Sequence, residues 1–216
     1  PGQHLAGGET PTWQGYRNRL HHALRIGDEM WASVWHAGFR VLDISDISRP
    51  TTIAEHNYHP PFKDPTHTIL PVPKLIDGRR IAVVIDEEHS RIPGPGQAPA
   101  HLWVFDVTNF DHIHALSSFH VPEWSSPWSR AQGGRFGAHQ FQEHLDDTLV
   151  FCTWFSGGVR VVDVVDPFNP QEIAHYIPEP VHGFTSPQSN DVEVGPDGLI
   201  YLLDRDNGFD ILEMNR

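Results

Sequence analysis

Three histidines open similar stretches of the chain: His22 in "HALRIGDEMWASVWHAGFRVLDISD", His67 in "HTILPVPKLIDGRRIAVVIDEEH" and His139 in "HQFQEHLDDTLVFCTWFSGGVRVVDVVDP". Asp191 holds the matching place in "DVEVGPDGLIYLLDRDNGFDILE". Imidazole is the commonest metal ligand and titrates near neutral pH, so a recurring histidine suggests metal or acid–base chemistry. Three imidazoles and a carboxylate suit zinc, iron, manganese or copper. The chain has 16 histidines against 15 lysines and arginines together, so position must decide which of them matter.

Other groups fall near the same points. The run Asp86-Glu87-Glu88-His89 ends an apolar strand, and three carboxylates in a row repel one another unless a cation compensates; a metal or Arg91 is the candidate. Within it Glu88 and His89, with Arg135, form the candidate catalytic set. His36, Trp128, Arg130 and Arg205 are candidate substrate contacts, since guanidinium groups pair in a fork with carboxylates. His21 adjoins His22, and successive strand residues face opposite ways; the repeat alignment favours His22. A plain alternative stands beside each assignment: repeated histidines that bond a neighbouring sheet's backbone, an Asp191 that caps a turn, and a solvated acidic strand end. His112, His114 and His120 read as an exposed outer face, His144 as a solvated turn residue, and His56, His59, His175 and His182 as outer-strand or loop residues. Trp31, Trp35, Trp103, Trp154, Phe151 and Tyr201 read as core.

The elements that must position these groups are strands. Short β-branched and aromatic runs are broken by Gly, Pro, Asp and Asn, and helical periodicity is nearly absent. Each repeat shows a short strand, a turn, a strongly apolar strand, a Gly turn and a third strand: "FRVLDI", "LWVFDV", "VRVVDV" or "FDILEM". In the first three repeats a fourth strand follows. Four-stranded antiparallel units at about 40–50 residues are propeller blades. The fold class is therefore all-β, a β-propeller with blades at about 20–60, 66–122, 138–178 and 190–216. Starts of first strands and ends of second strands share one face, so the repeated histidines can converge on the channel. Two Gly/Pro-rich connections, "EHSRIPGPGQAPAH" and "PEWSSPWSRAQGGRFGA", lie on that face too, where long loops form binding walls.

The third-strand phrases, with "SDISRP" or "VDPFNP" after them, resemble the LVIVD-repeat family, which implies a β-propeller and leaves activity open. Four blades is the lower limit for a ring. Either residues 1–19 supply a closing strand or inter-blade connection, or the chain is the C-terminal part of a larger propeller whose other blades lie elsewhere; the resemblance favours the second.

Composition narrows the partners. At 38% apolar and 20% charged the chain is globular. Its net charge of −13 argues against nucleic acid. No apolar run is long enough to span a membrane as a helix. The single cysteine, Cys152, excludes an intrachain disulfide and reads as a buried thiol. Compartment stays undetermined. The leading expectation is a metal-dependent enzyme, with a divalent transition metal on His22, His67, His139 and Asp191, acting on a small anionic organic substrate by hydrolase, lyase or oxidoreductase chemistry. The alternatives are a non-catalytic interaction module with architectural histidines and a redox or metal-handling protein similar to the selenium-binding propellers. A partner chain or self-association completing the propeller is a further expectation.

Overall fold

A computed structural model describes residues 19–59, 62, 64–89 and 99–215. The expected closing role of residues 1–18, the compensating role of Arg91 and most of the loop that carries it lie outside the described residues. The chain is all-β, with two single-turn 3₁₀ helices in the loop before the third unit. Its four antiparallel sheets form a propeller-like array.

The first sheet is β1 (Ala23–Ile26), β2 (Glu29–Ser33), β3 (Phe39–Asp43) and β4 (Thr51–His56). The second is β5 (Thr66–Pro71), β6 (Ile81–Asp86), β7 (Leu102–Asp106) and β8 (His114–Phe119). The third joins β9 (Leu149–Thr153), β10 (Val159–Asp163) and β11 (Gln171–Tyr176). The fourth joins β12 (Ser189–Val194), β13 (Ile200–Asp204) and β14 (Gly208–Leu212). The third unit departs from the expected four strands. Its inner segment, residues 139–142, bonds β9 through His139 N–H to Thr153 O and Thr153 N–H to Gln140 O, but closes only an isolated bridge at Phe141–Cys152.

The repeated phrases encode repeated local structure. Asp43, Asp106 and Asp163 each accept the N–H two residues on, and Asp46, Asn109 and Asp166 do the same three residues later. These tandem Asx turns swing the chain from the third strand to the fourth, which explains the Asp and Asn in "DISD", "DVTN" and "DVVD". In each of the first three sheets the pairing of the third and fourth strands slips by one residue at the same place: Val41/Leu42, Val104/Phe105 and Val161/Val162. Such bulges increase strand twist, which a radial array needs.

The core lies between sheets. Trp31, Phe39 and Val41 of the first pack on Ile69, Val84 and Phe105 of the second. The second's other face, with Leu70, Val83 and Ile85, meets Phe141, Val150, Cys152 and Trp154 of the third unit. Val159 and Val161 then meet Val192, Ile200 and Leu202 of the fourth. Side chains alternate across each strand, so every inner sheet is apolar on both faces. The far face of the fourth sheet is different: Tyr201 (38% exposed), Leu203 (48%), Phe209 (65%) and Ile211 (56%) lie open. Tyr201 thus sits on an open face, not between blades as expected. Cys152 is fully buried in the core, and burial pushes its thiol well up. Among the described residues no helix is long and apolar enough to cross a membrane.

Candidate metal centre

Five rings stand in a row across the inner ends of the first three sheets. Trp35 and His21 are 5.9 Å apart between centroids, His21 and His67 4.2 Å, His67 and His139 4.4 Å, and His139 and Phe155 4.9 Å. His21 lies just before β1, His67 in β5, and His139 opens the inner segment of the third unit. Glu87, the residue after β6, faces the row. Donor atoms of His21, His67 and Glu87 lie within 4.8 Å of one another, and His139 Nε2 is 3.6 Å from Glu87 Oε1.

Local backbone explains why these side chains point inward. The β5–β6 register shifts between Thr66 and Thr68, so His67 is an inserted residue and its ring leaves the strand's ordinary alternation. The β12–β13 register shifts in the same way between Ser189 and Asp191, at Asn190. That turns the Asn190 carbonyl toward the third unit, where it binds His139 Nδ1 and accepts from Thr153 Oγ1. Bulges re-aim side chains beside functional sites.

The rings are held by a second layer of contacts. His67 Nδ1 lies 2.7 Å from Thr68 Oγ1, whose hydroxyl donates to Gln140 Oε1, so the ring's Nδ1–H donates and Nε2 is left to the centre. His139 Nδ1–H donates to Asn190 O, which likewise leaves Nε2. Metal-binding histidines are oriented in this manner, by their second nitrogen.

Electrostatics sets the protonation states. Burial lowers the His21 pKa, and burial with the facing His139 and His21 rings holds His67 well down. Burial lowers His139 to about 4 against the pull of Glu87. Burial pushes Glu87 the other way, but the His89 hydrogen bond and the facing His139 and His89 rings more than offset it, holding the carboxyl at about 2. At neutral pH the site is three neutral imidazoles and an ionised carboxylate, the forms that bind metal.

The structure places the sequence-derived candidates as follows. His67 and His139 join the row with His21, whereas His22 turns aside to Thr68 Oγ1 (3.0 Å) and Glu143 Oε1 (3.0 Å). Asp191 stays outside the row: it accepts the Val192 N–H at 2.9 Å and has Glu143 and His22 as neighbours. Glu88 is 1% exposed and points away from the row: it accepts from Ala100 N and pairs with Arg130 Nη2 at 3.2 Å. Arg130 also donates to Phe136 O and Glu123, so both residues fasten the loop before the third unit. His89 and Arg135 do reach the centre, with His89 Nε2 3.1 Å from Glu87 Oε2 and Arg135 Nη1 3.6 Å from Glu87 Oε1. Arg205 lies over Phe155, 5.3 Å from its centroid. His36 is buried behind Trp35 and against His59. His59, expected on a loop or outer strand, is also buried, bonded to Phe62 O and Thr66 Oγ1. Trp128 is half-buried, its N–H on Ser126 Oγ.

Sequence reasoning passed over His21 and Glu87. A usable signal existed for Glu87: it shares strand parity with His89, and Glu88 does not.

No family model matches the chain, and no curated protein matches it. Among solved structures it is similar to AztD of Citrobacter koseri at 14% identity, over 90% of this chain and 43% of that one, with a TM-score of 0.47. It is similar to the β-1,2-mannobiose phosphorylase of Listeria innocua at 13% identity, over 90% and 58%, with a TM-score of 0.50. A Bacteroides thetaiotaomicron protein of unknown function matches at 12% identity, over 94% and 43%, with a TM-score of 0.46. The chain thus spans 43–58% of the length of these structures. The likeness concerns fold alone.

Proposed function

We propose that this chain is a metal-dependent enzyme of the LVIVD-repeat type, with a divalent transition metal held by His21, His67 and His139 and by Glu87 as the carboxylate. The carrying observation is the convergence of His21, His67 and Glu87 donor atoms within 4.8 Å. The donor set fits such an ion: neutral nitrogens tied at their far side, and an ionised oxygen, suit zinc, iron, manganese or copper. Four protein ligands at most would leave room for substrate on a metal that expands its shell. A bound ion would polarise a substrate oxygen or activate water. His89, 3.1 Å from Glu87, would move a proton at its imidazole, and Arg135, 3.6 Å from Glu87, would hold the outer side of the carboxylate.

A second reading, a non-catalytic propeller with architectural histidines, is favoured by one observation: the Glu87 carboxylate already has Arg135 at 3.6 Å and His89 at 3.1 Å. Metal titration of wild type, His67→Ala and His22→Ala separates the two. The enzyme reading expects roughly stoichiometric zinc or cobalt in wild type, an affinity lower by a factor of about 100 or more in His67→Ala, and little change in His22→Ala. Wild type that takes up no metal, with His67→Ala unfolded, would establish the architectural reading.

A further inference from the structure

Two arginines meet the Phe155 end of the ring row. Arg135 and Arg205 both lie over the Phe155 ring, with guanidinium carbons 5.0 and 5.3 Å from its centroid. One residue anchors both backbones: Gln188 Oε1 accepts the Arg135 N–H and Gln188 O accepts the Arg205 N–H. The two side chains therefore start from fixed neighbouring points. Glu87 lies 3.6 Å from Arg135. Arg205 Nε donates to Asn190 Oδ1, and among the described residues its guanidinium has no ion-pair partner.

Phe155 itself is at a φ of 43°, a left-handed conformation that glycine would adopt at less cost. Trp35 has a φ of 49° in the corresponding turn of the first sheet. The turns share their hydrogen bonds: Val34 N–H to Gly38 O and Gly38 N–H to Trp35 O in one, Trp154 N–H to Gly158 O and Gly158 N–H to Phe155 O in the other. Both repeats spend about 1–2 kcal/mol to put an aromatic ring where glycine would fit, and both rings flank the imidazole row. Strain of this kind marks ligand sites.

We infer that Arg135 and Arg205, over the Phe155 ring, form the seat for the carboxylate of a small organic acid whose remaining atoms reach the adjacent metal centre. Planar two-pronged guanidinium donors match a carboxylate edge. The chain's net charge of −13 does not forbid this. At physiological salt, charges beyond about 8 Å are largely screened, whereas two guanidinium groups in contact with the ligand are not. The inference rests on the metal-enzyme reading for its substrate class, and the seat itself can be tested without metal.

The experiment titrates metal-free protein with acetate and with acetamide, its uncharged counterpart, following heat or the aromatic NMR signals. Acetate is expected to bind, acetamide not. Arg205→Gln should weaken acetate at least about tenfold, and Arg205→Lys should fall between the two. Arg205 is exposed, so these variants should fold as wild type does. Zinc titration of Arg205→Gln, run separately, should stay within about threefold of wild type. Equal acetate affinity in wild type and Arg205→Gln, acetamide binding as well as acetate, or no acetate binding would each overturn the seat. Failure of wild type to bind zinc would overturn the metal reading alone.

Discussion

At the scale of single residues, the proposed centre would depend on atoms that do not touch the ion. Thr68 is the hub of one chain, accepting from His67 Nδ1 and donating to Gln140 Oε1. Thr68→Val keeps the shape and removes the hydroxyl, so metal affinity should fall about 10- to 100-fold with little change in far-ultraviolet circular dichroism. Protons give a second prediction. His59, His101 and His139 are each lowered to about 4, with burial the leading cause, and His67 lies well below its ordinary value. In the unfolded chain they titrate near 6.5, so between about pH 6.5 and 4 the unfolded state binds more protons. Their contribution is present in full above that range and is lost as pH falls through it, up to about 3 kcal/mol per ring. Urea unfolding of metal-free protein should show the loss; a midpoint flat from pH 7 to 4.5 would refute it. Part of this was legible in the sequence. The type and repeat position of His67 and His139 were, but the choice between His21 and His22 was not, because it turns on where strand pairing begins and on Glu143 claiming the His22 ring.

At the scale of elements, tight hairpins hold the ring row in place. Gly158 has a φ of +78°, and an added Cβ would overlap the carbonyl of Tyr176; Gly38 (+67°) stands in the same relation to His56. Neither overlap can be relieved by a side-chain rotation, because the struck atom is backbone. Gly158→Ala should therefore cost at least about 2 kcal/mol in chemical denaturation. A smaller loss would mean that the turn is looser than described. The acidic run shows how two neighbours divide their labour. Glu88 pairs with Arg130 in the interior, so Glu88→Ala should destabilise the fold by about 3–5 kcal/mol. Glu87→Ala should instead remove metal affinity. Strand parity could have separated the two in advance; the bulge that re-aims His67 left no mark in the sequence, because it is a slip in pairing with β6.

At the scale of the whole molecule, the far face of the fourth sheet is open and apolar. Tyr201, Leu203, Phe209 and Ile211 are the fourth sheet's counterparts to residues that the next sheet covers elsewhere in the array. Tyr201 faces Ile211 across the strands and Leu203 faces Phe209, so the four make one apolar face. Such a face predicts association with a further sheet or a second copy. Sedimentation velocity should show self-association at micromolar concentration that Phe209→Asp reverses; a strict monomer in both would argue against it. The repeat architecture was legible because each unit spells the same Asx turns and apolar third strand. Whether a further sheet covers the open face was not, since an open face and a covered one can be written with the same residues.

The account is tested most directly by X-ray absorption at the zinc edge of the loaded protein. It predicts near one zinc per chain, nitrogen and oxygen neighbours at about 2.0–2.2 Å, and the scattering pattern of three imidazoles that weakens in His67→Ala. A spectrum without imidazole, or one that His67→Ala leaves unchanged, would contradict it.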